Sequence, residues 1–361
     1  MKNERNSNFE LLRILSMVLI VMHHLALHGG AMRYSPPYLF NDIFIQIISI
    51  GGKIGVNCFI LISAYFLILK PVKFKKILFL LSQVFVASLF CSFVYIYING
   101  MSNVSLLNIL IPFLNNGYWF VFYFILLLLI APFLNSFLIS LEKNKFKSLI
   151  NFSFLFLSLI PSFIPLKFGF SNFTWFIFVY MIGAYIRLYD EDIMYINNIK
   201  KIVYFRKKTY IFISIFIMSF SILLMDFLSY YSSVFIGRQL FFSNINSVFV
   251  IFCSLWIFSL FKNRSSFYSK KINHISQSML MVYLLHDNHL LREILWEKIN
   301  IKILSTFNYF PFISMCIVLL IMSISVFIDI LLMRYLYERF FTILYIFVRK
   351  IIIFRIKKLY F

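Results

Sequence analysis

The chain has 361 residues, 62% of them hydrophobic and only 13% charged, with a mean hydropathy of +0.90. A soluble domain carries about 25% charged residues, so the composition excludes an ordinary soluble globule and reads as an all-α polytopic membrane protein in a lipid bilayer. The net charge of +21 is read as a basic membrane rim rather than a nucleic-acid surface, because no basic run comes with the motifs of nucleic-acid modules.

In chain order the hydropathy pattern predicts ten spans: 9–28, 43–69, 76–99, 118–139, 147–164, 172–188, 209–230, 236–261, 275–291 and 311–340. Most approach the ~20 apolar residues that cross a bilayer core as a helix. The first run carries Arg13 and three histidines and lacks a small-residue cleavage pattern, so it is not read as a signal peptide. The second is long and holds Gly51-Gly52, which predicts a bend. The last is expected to continue as a basic amphipathic tail over 341–361, suited to a membrane surface. No second soluble domain is expected, so 1–361 reads as one transmembrane domain. Lys and Arg concentrate in cytoplasmic loops. With both termini cytoplasmic, the split is 26 to 6, and Arg13 and Lys53 lie within spans. Cys58, Cys91, Cys253 and Cys316 all fall in apolar segments with no CxxC or Cys/His cluster. They read as small buried hydrophobes, with neither a disulfide framework nor a metal site.

Titratable groups inside a bilayer are expensive and mark functional sites. Arg13 and His24 lie eleven residues apart in the first span, FELLRILSMVLIVMHHLALH. Eleven steps of ~100° return to the same helix face, ~16 Å further along the axis. His23 points ~100° away from His24, so it orients or packs while His24 shares the face of Arg13. Glu10 sits one turn before Arg13 and can pair with it. A neutral His24 imidazole would serve as a general base, a role that contributes about 10²–10⁴-fold to a rate.

Further along, Lys53 lies within the second span and is expected to line a cavity or pair. Ser63 and Tyr65 follow in VNCFILISAYF; a serine there more often bonds its own i−4 carbonyl than acts as a nucleophile. Tyr118 and Trp119 open the fourth span and read as interface-belt aromatics, with stacking against a sugar or adenine ring as the alternative. In SMLMVYLLHDNHLLREILW, Tyr283 and His286 face together, and Asp287, His289, Arg292 and Glu293 follow as a lined cavity or a polar outer rim. Asp226 and Asp329 are expected to pair with basic groups. No Gly-rich phosphate loop, GxSxG elbow or HExxH motif appears.

These segments together resemble the membrane acyltransferase-3 family, the ten-span O-acyltransferases of bacterial surface polysaccharides. FELLRILSMVLIVMHH matches its first-helix pattern of Arg, ten residues, then His. FILISAYF is similar to its Ser-Gly-Tyr segment, with Ala64 where Gly is usual. NGYWFVFYFILLLLIAPFLN resembles its Trp-Phe helix, FVYMIGAYI its short Gly-containing helix, and YLLHDNH its late Tyr-Leu-x-His-Asp-Asn stretch, with His289 where Pro is frequent. The resemblance implies a multi-pass enzyme of the bacterial cytoplasmic membrane that uses acetyl-CoA as acyl donor and no metal. It implies His24 as catalytic base and Arg13 as a holder of donor or acceptor. The acceptor would be a sugar hydroxyl of a polysaccharide or of a lipid-linked oligosaccharide. His23, Glu10, Lys53, Ser63, Tyr65, Trp119, Tyr283, His286 and Arg292 are the candidates for substrate or donor binding. On composition alone, a transporter, flippase or polymerase of lipid-linked sugars is the alternative.

Overall fold

The computed structural model describes residues 5–70, 73–101, 117–164, 169–189 and 199–359. The fold is all helical, with no strand among the described residues. The helices are α1 (Ser7–His28), α2 (Phe40–Ser49), α3 (Gly51–Leu67), α4 (Phe74–Asn99), α5 (Trp119–Ser140), α6 (Lys143–Phe163), α7 (Asn172–Tyr189), α8 (Ile199–Ser229), α9 (Val248–Lys262), α10 (Lys270–Ser276), α11 (Met279–His286), α12 (Leu291–Ile299), α13 (Ile301–Leu304), α14 (Phe310–Ile328) and α15 (Arg334–Leu359). Side chains beyond residue 350 lie outside the described set, and so does the end of the basic tail.

Eight helical segments are long and apolar enough to cross a membrane among the described residues, so this is a polytopic membrane protein. The sequence pattern predicted ten. The two that differ are α7, which is short and rich in polar aromatics, and the stretch 270–299, which is cut into α10, α11 and α12. The bend predicted at Gly51-Gly52 is a mild one. Ile50 separates α2 from α3 but keeps helical angles, and the bond from Lys53 N–H to the Ile50 carbonyl tightens the turn. In α6 a π-helical turn, Leu155–Leu159, precedes Pro161. The proline has no N–H to give its i−4 carbonyl and crowds it, which accounts for the widened turn.

At the centre α1 packs against α3, and α3 packs in turn against α7 and α9. Small residues allow the close approach that drives helix association in lipid. A Cβ on Gly52 would overlap the His23 side chain, and one on Gly183 of α7 would lie 2.7 Å from the Ala64 Cβ. The central α2–α3 segment is the most enclosed span and α6 among the least. Phe93, Phe133, Phe212, Phe312 and Leu331 point outward, as a lipid-facing surface requires.

Two expectations fail here. Cys316 is exposed on the outer face of α14, unlike the buried Cys58, Cys91 and Cys253. Asp329 does pair with Arg334, at 3.1 Å, but the Asp226 carboxylate accepts from the Gln46 amide at 3.3 Å rather than from a cation. The amide serves the Oδ1 oxygen without bringing a second charge into the bundle.

Candidate active site

The start of α1 is fixed by its cap and by the 264–273 segment. Asn6 caps the helix, Ser7 Oγ donates to Asn273 Oδ1 at 2.8 Å, and the Asn8 amide donates to the carbonyls of Arg264 and Ser265. This anchoring places Glu10 beside the end of α10. Ser276 Oγ donates to Glu10 Oε2 at 2.6 Å, Arg13 donates to Glu10 Oε1 at 2.5 Å, and Arg5 lies 3.2 Å from the same oxygen. Arg13 is thus held by a carboxylate at the head of a cavity of about 830 Å³. Lys70, Lys76, Arg187 and Lys262 also line it. Tyr65 is there too, and its hydroxyl accepts from Arg187 at 2.9 Å.

A narrower cavity of about 210 Å³ follows, with Arg13 at one end and His24 at the other. Its walls are apolar, from Met17, Ile20, Val56, Phe59, Leu80, Phe120 and Phe124. Ser63 lines both spaces while its hydroxyl donates to the Phe59 carbonyl at 2.8 Å. Trp119 and Tyr283 border the neck beside His24. Beyond His24 a third cavity of about 400 Å³ opens, lined by His23, His28, Lys53, Trp119, Asn172, Asp287 and Arg292. The narrow cavity shares Arg13 and Ser63 with the first and His24 and Trp119 with the third, so the three adjoin in a row past Arg13 and His24.

His24 is held by the end of α11. His286 Nδ1 lies 2.6 Å from the Val282 carbonyl oxygen, and His286 Nε2 lies 2.9 Å from His24 Nδ1. A carbonyl only accepts, so His286 carries its proton on Nδ1 and, when neutral, offers a lone pair at Nε2. The His24 proton therefore sits on Nδ1. A second acceptor, Asp287 Oδ1, lies 3.7 Å from the same nitrogen. Protons are assigned here from the bonding network. His24 Nε2 is left with its lone pair at the cavity border and no partner among the described residues. His23 is committed elsewhere, since its Nδ1 donates to the Ser49 carbonyl.

The turn after His286 is built by Asn288. Its Oδ1 accepts from the Leu290 N–H at 3.0 Å, and its amide donates to the Tyr118 hydroxyl at 2.7 Å. Tyr118 donates in turn to the Leu284 carbonyl at 2.6 Å. This tyrosine is fully buried, so the interface-belt reading is wrong for it. Its hydroxyl could be satisfied inside the bundle, and a span start is not always a membrane edge. Arg292 lies 3.3 Å and His28 3.8 Å from Asp287 Oδ1. His24, His28 and Asp287 bring ligand-type atoms within 4.8 Å of one another. Their groups are already engaged, however, by His286 on His24 and by the Arg292 cation on the carboxylate.

His28, Asn172, Arg187 and Lys262 were not singled out from the sequence. Arg187 and Lys262 lie at helix ends among ordinary rim cations, and His28 closes α1 one turn after His24. That one-turn spacing was the only local signal available.

The acyltransferase-3 family model, described as an acyltransferase domain, matches residues 6–334. The chain belongs to this family. It is a multi-pass membrane acyltransferase. No curated protein and no solved structure matches it significantly.

Proposed function

We propose that this acyltransferase moves an acetyl group from acetyl-CoA to a sugar hydroxyl of a cell-surface polysaccharide or its lipid-linked precursor, with His24 as general base. The observation that carries this reading is the row of adjoining cavities, with His24 on the wall shared by the apolar neck and the far cavity. The cations around Arg13 suit the phosphates of an anionic donor. All but Arg13 belong to segments that the charge bias assigns to the cytoplasm, where the donor is made. The apolar neck suits the thin pantetheine arm and brings the thioester to His24.

The acceptor enters from the opposite side. His24 Nε2 takes the hydroxyl proton as the sugar oxygen bonds to the thioester carbon. The tetrahedral intermediate collapses, the C–S bond breaks, and the sulfur takes the proton back from His24 and leaves as the thiol. The developing imidazolium is stabilised by Asp287, as a carboxylate does for the histidine of a hydrolase triad. Arg13 is ~16 Å from His24 along the helix, so its role is to hold the donor rather than the oxyanion. Its pairing with Glu10 fixes the guanidinium for that task.

Membranes given radiolabelled acetyl-CoA and the host polysaccharide test this. Wild type should label the polysaccharide, and His24→Ala should lose at least about 10²-fold in rate. Equal labelling by the two would sink the mechanism.

A further inference from the structure

We infer that the acceptor is anionic and that Lys53 and Arg292 together hold its negative group in the cavity beyond His24; this rests on the acyl-transfer reading above. Two cations from distant parts of the chain converge on that cavity. Gly52 packs on His23, which sets the neighbouring Lys53 at the depth of the two histidines. Among the described residues no carboxylate and no hydrogen-bond acceptor pairs with its ammonium group. A cation at that depth is costly unless something answers it, and unanswered ones mark substrate paths.

Arg292 supplies the second charge. It is one of only six Lys or Arg residues in the loops assigned to the outer side, so a general basic rim does not explain its presence. Asp287 is the one acid among the described residues of this cavity, and it already has Arg292 at 3.3 Å and His28 at 3.8 Å. Counting the histidines as neutral, Lys53 and Arg292 against Asp287 leave the cavity a net charge of +1, with Lys53 as the cation that no carboxylate answers. Trp119 offers a ring face and Asn172 an amide, the aromatic and polar lining that small-ligand sites combine. The ligand chemistry is an oxyanion beside a sugar ring. It is either a carboxylate on the sugar itself or the diphosphate of a lipid-linked precursor.

Binding of glucose, glucuronate and inorganic diphosphate to the purified full chain in nanodiscs separates the cases. Glucuronate or diphosphate should bind and glucose should not. Lys53→Met and Arg292→Gln should each weaken that binding about tenfold, as loss of one charge-assisted bond does. Diphosphate binding is read with excess CoA filling the cations of the donor cavity, and Arg13→Gln should leave glucuronate binding unchanged, because its cavity is at the other end. A response to glucuronate alone assigns the charge to the sugar, and one to diphosphate alone assigns it to the lipid carrier. No anion binding, equal binding of glucose, or a loss that follows Arg13 rather than Lys53 would overturn the inference. His24→Ala should bind the anion normally while failing to transfer acetyl. Acetyl transfer by a wild type that binds no anion would end this inference and leave the acyl-transfer reading intact.

Discussion

At the residue scale the proposed chemistry depends on which nitrogen of one imidazole is free. The proton on His286 Nδ1 is fixed by a carbonyl four residues earlier, and that fixes the proton on His24 Nδ1. His286→Gln keeps an acceptor near the Nε2 position and should retain most of the turnover number. His286→Leu removes it and should lower the turnover number about 10²-fold with little change in donor KM. A leucine variant with normal turnover would show that His24 needs no such support. The distinction between His23 and His24 was legible from helical arithmetic, because faces repeat along a single helix. The contact between His24 and His286 was not legible, because residues 262 positions apart carry no local signal of how their helices dock. The burial of Tyr118 escaped for the same reason.

Between helices, the deciding contacts are made by residues with almost no side chain. Gly52 lets α3 press on α1 so closely that a methyl group would meet the His23 ring. Gly52→Val should cost about 1–3 kcal/mol as an overpacked contact and should lower both the melting temperature in detergent and acetyl transfer. An unchanged melting temperature would mean that the two helices are free to part. Gly183 and Ala64 repeat this arrangement between α7 and α3, so the alanine found where the family usually has glycine sits in space its partner leaves open. Span positions were legible because twenty apolar residues announce themselves. The interruption between Ser276 and Met279 was not, since hydropathy averages over a break. That break is held from outside the segment, by Arg334 donating to Ser278 Oγ at 3.1 Å.

Across the whole molecule, charge distinguishes the cavity at Arg13 from the cavity beyond His24. Arg5, Arg13, Lys70, Lys76, Arg187 and Lys262 gather at one, and the charge bias of the loops had already grouped all but Arg13. Arg13→Gln should raise the donor KM several-fold with turnover nearly unchanged, and added salt should do the same to wild type by screening. Vesicles of known orientation should use external acetyl-CoA only when the N-terminal face is outward. Use from either face would contradict a one-sided donor path. On the proposed reading, an opening at each face would also create an electrical hazard. Ions would be driven through a wet bore by roughly 2.3 kcal/mol per charge for each 100 mV. The largely apolar neck would oppose this, because a hydrophobic constriction excludes water and so insulates. Phe120 and Phe124, stacked with centroids 5.7 Å apart, are part of that insulator. Phe120→Ser should therefore let protons leak through proteoliposomes, visible as faster decay of an imposed pH gradient. An acyltransferase working between the two faces, as proposed, would also have to keep its membrane charged, and these phenyl rings would do so whenever no donor arm fills the gap.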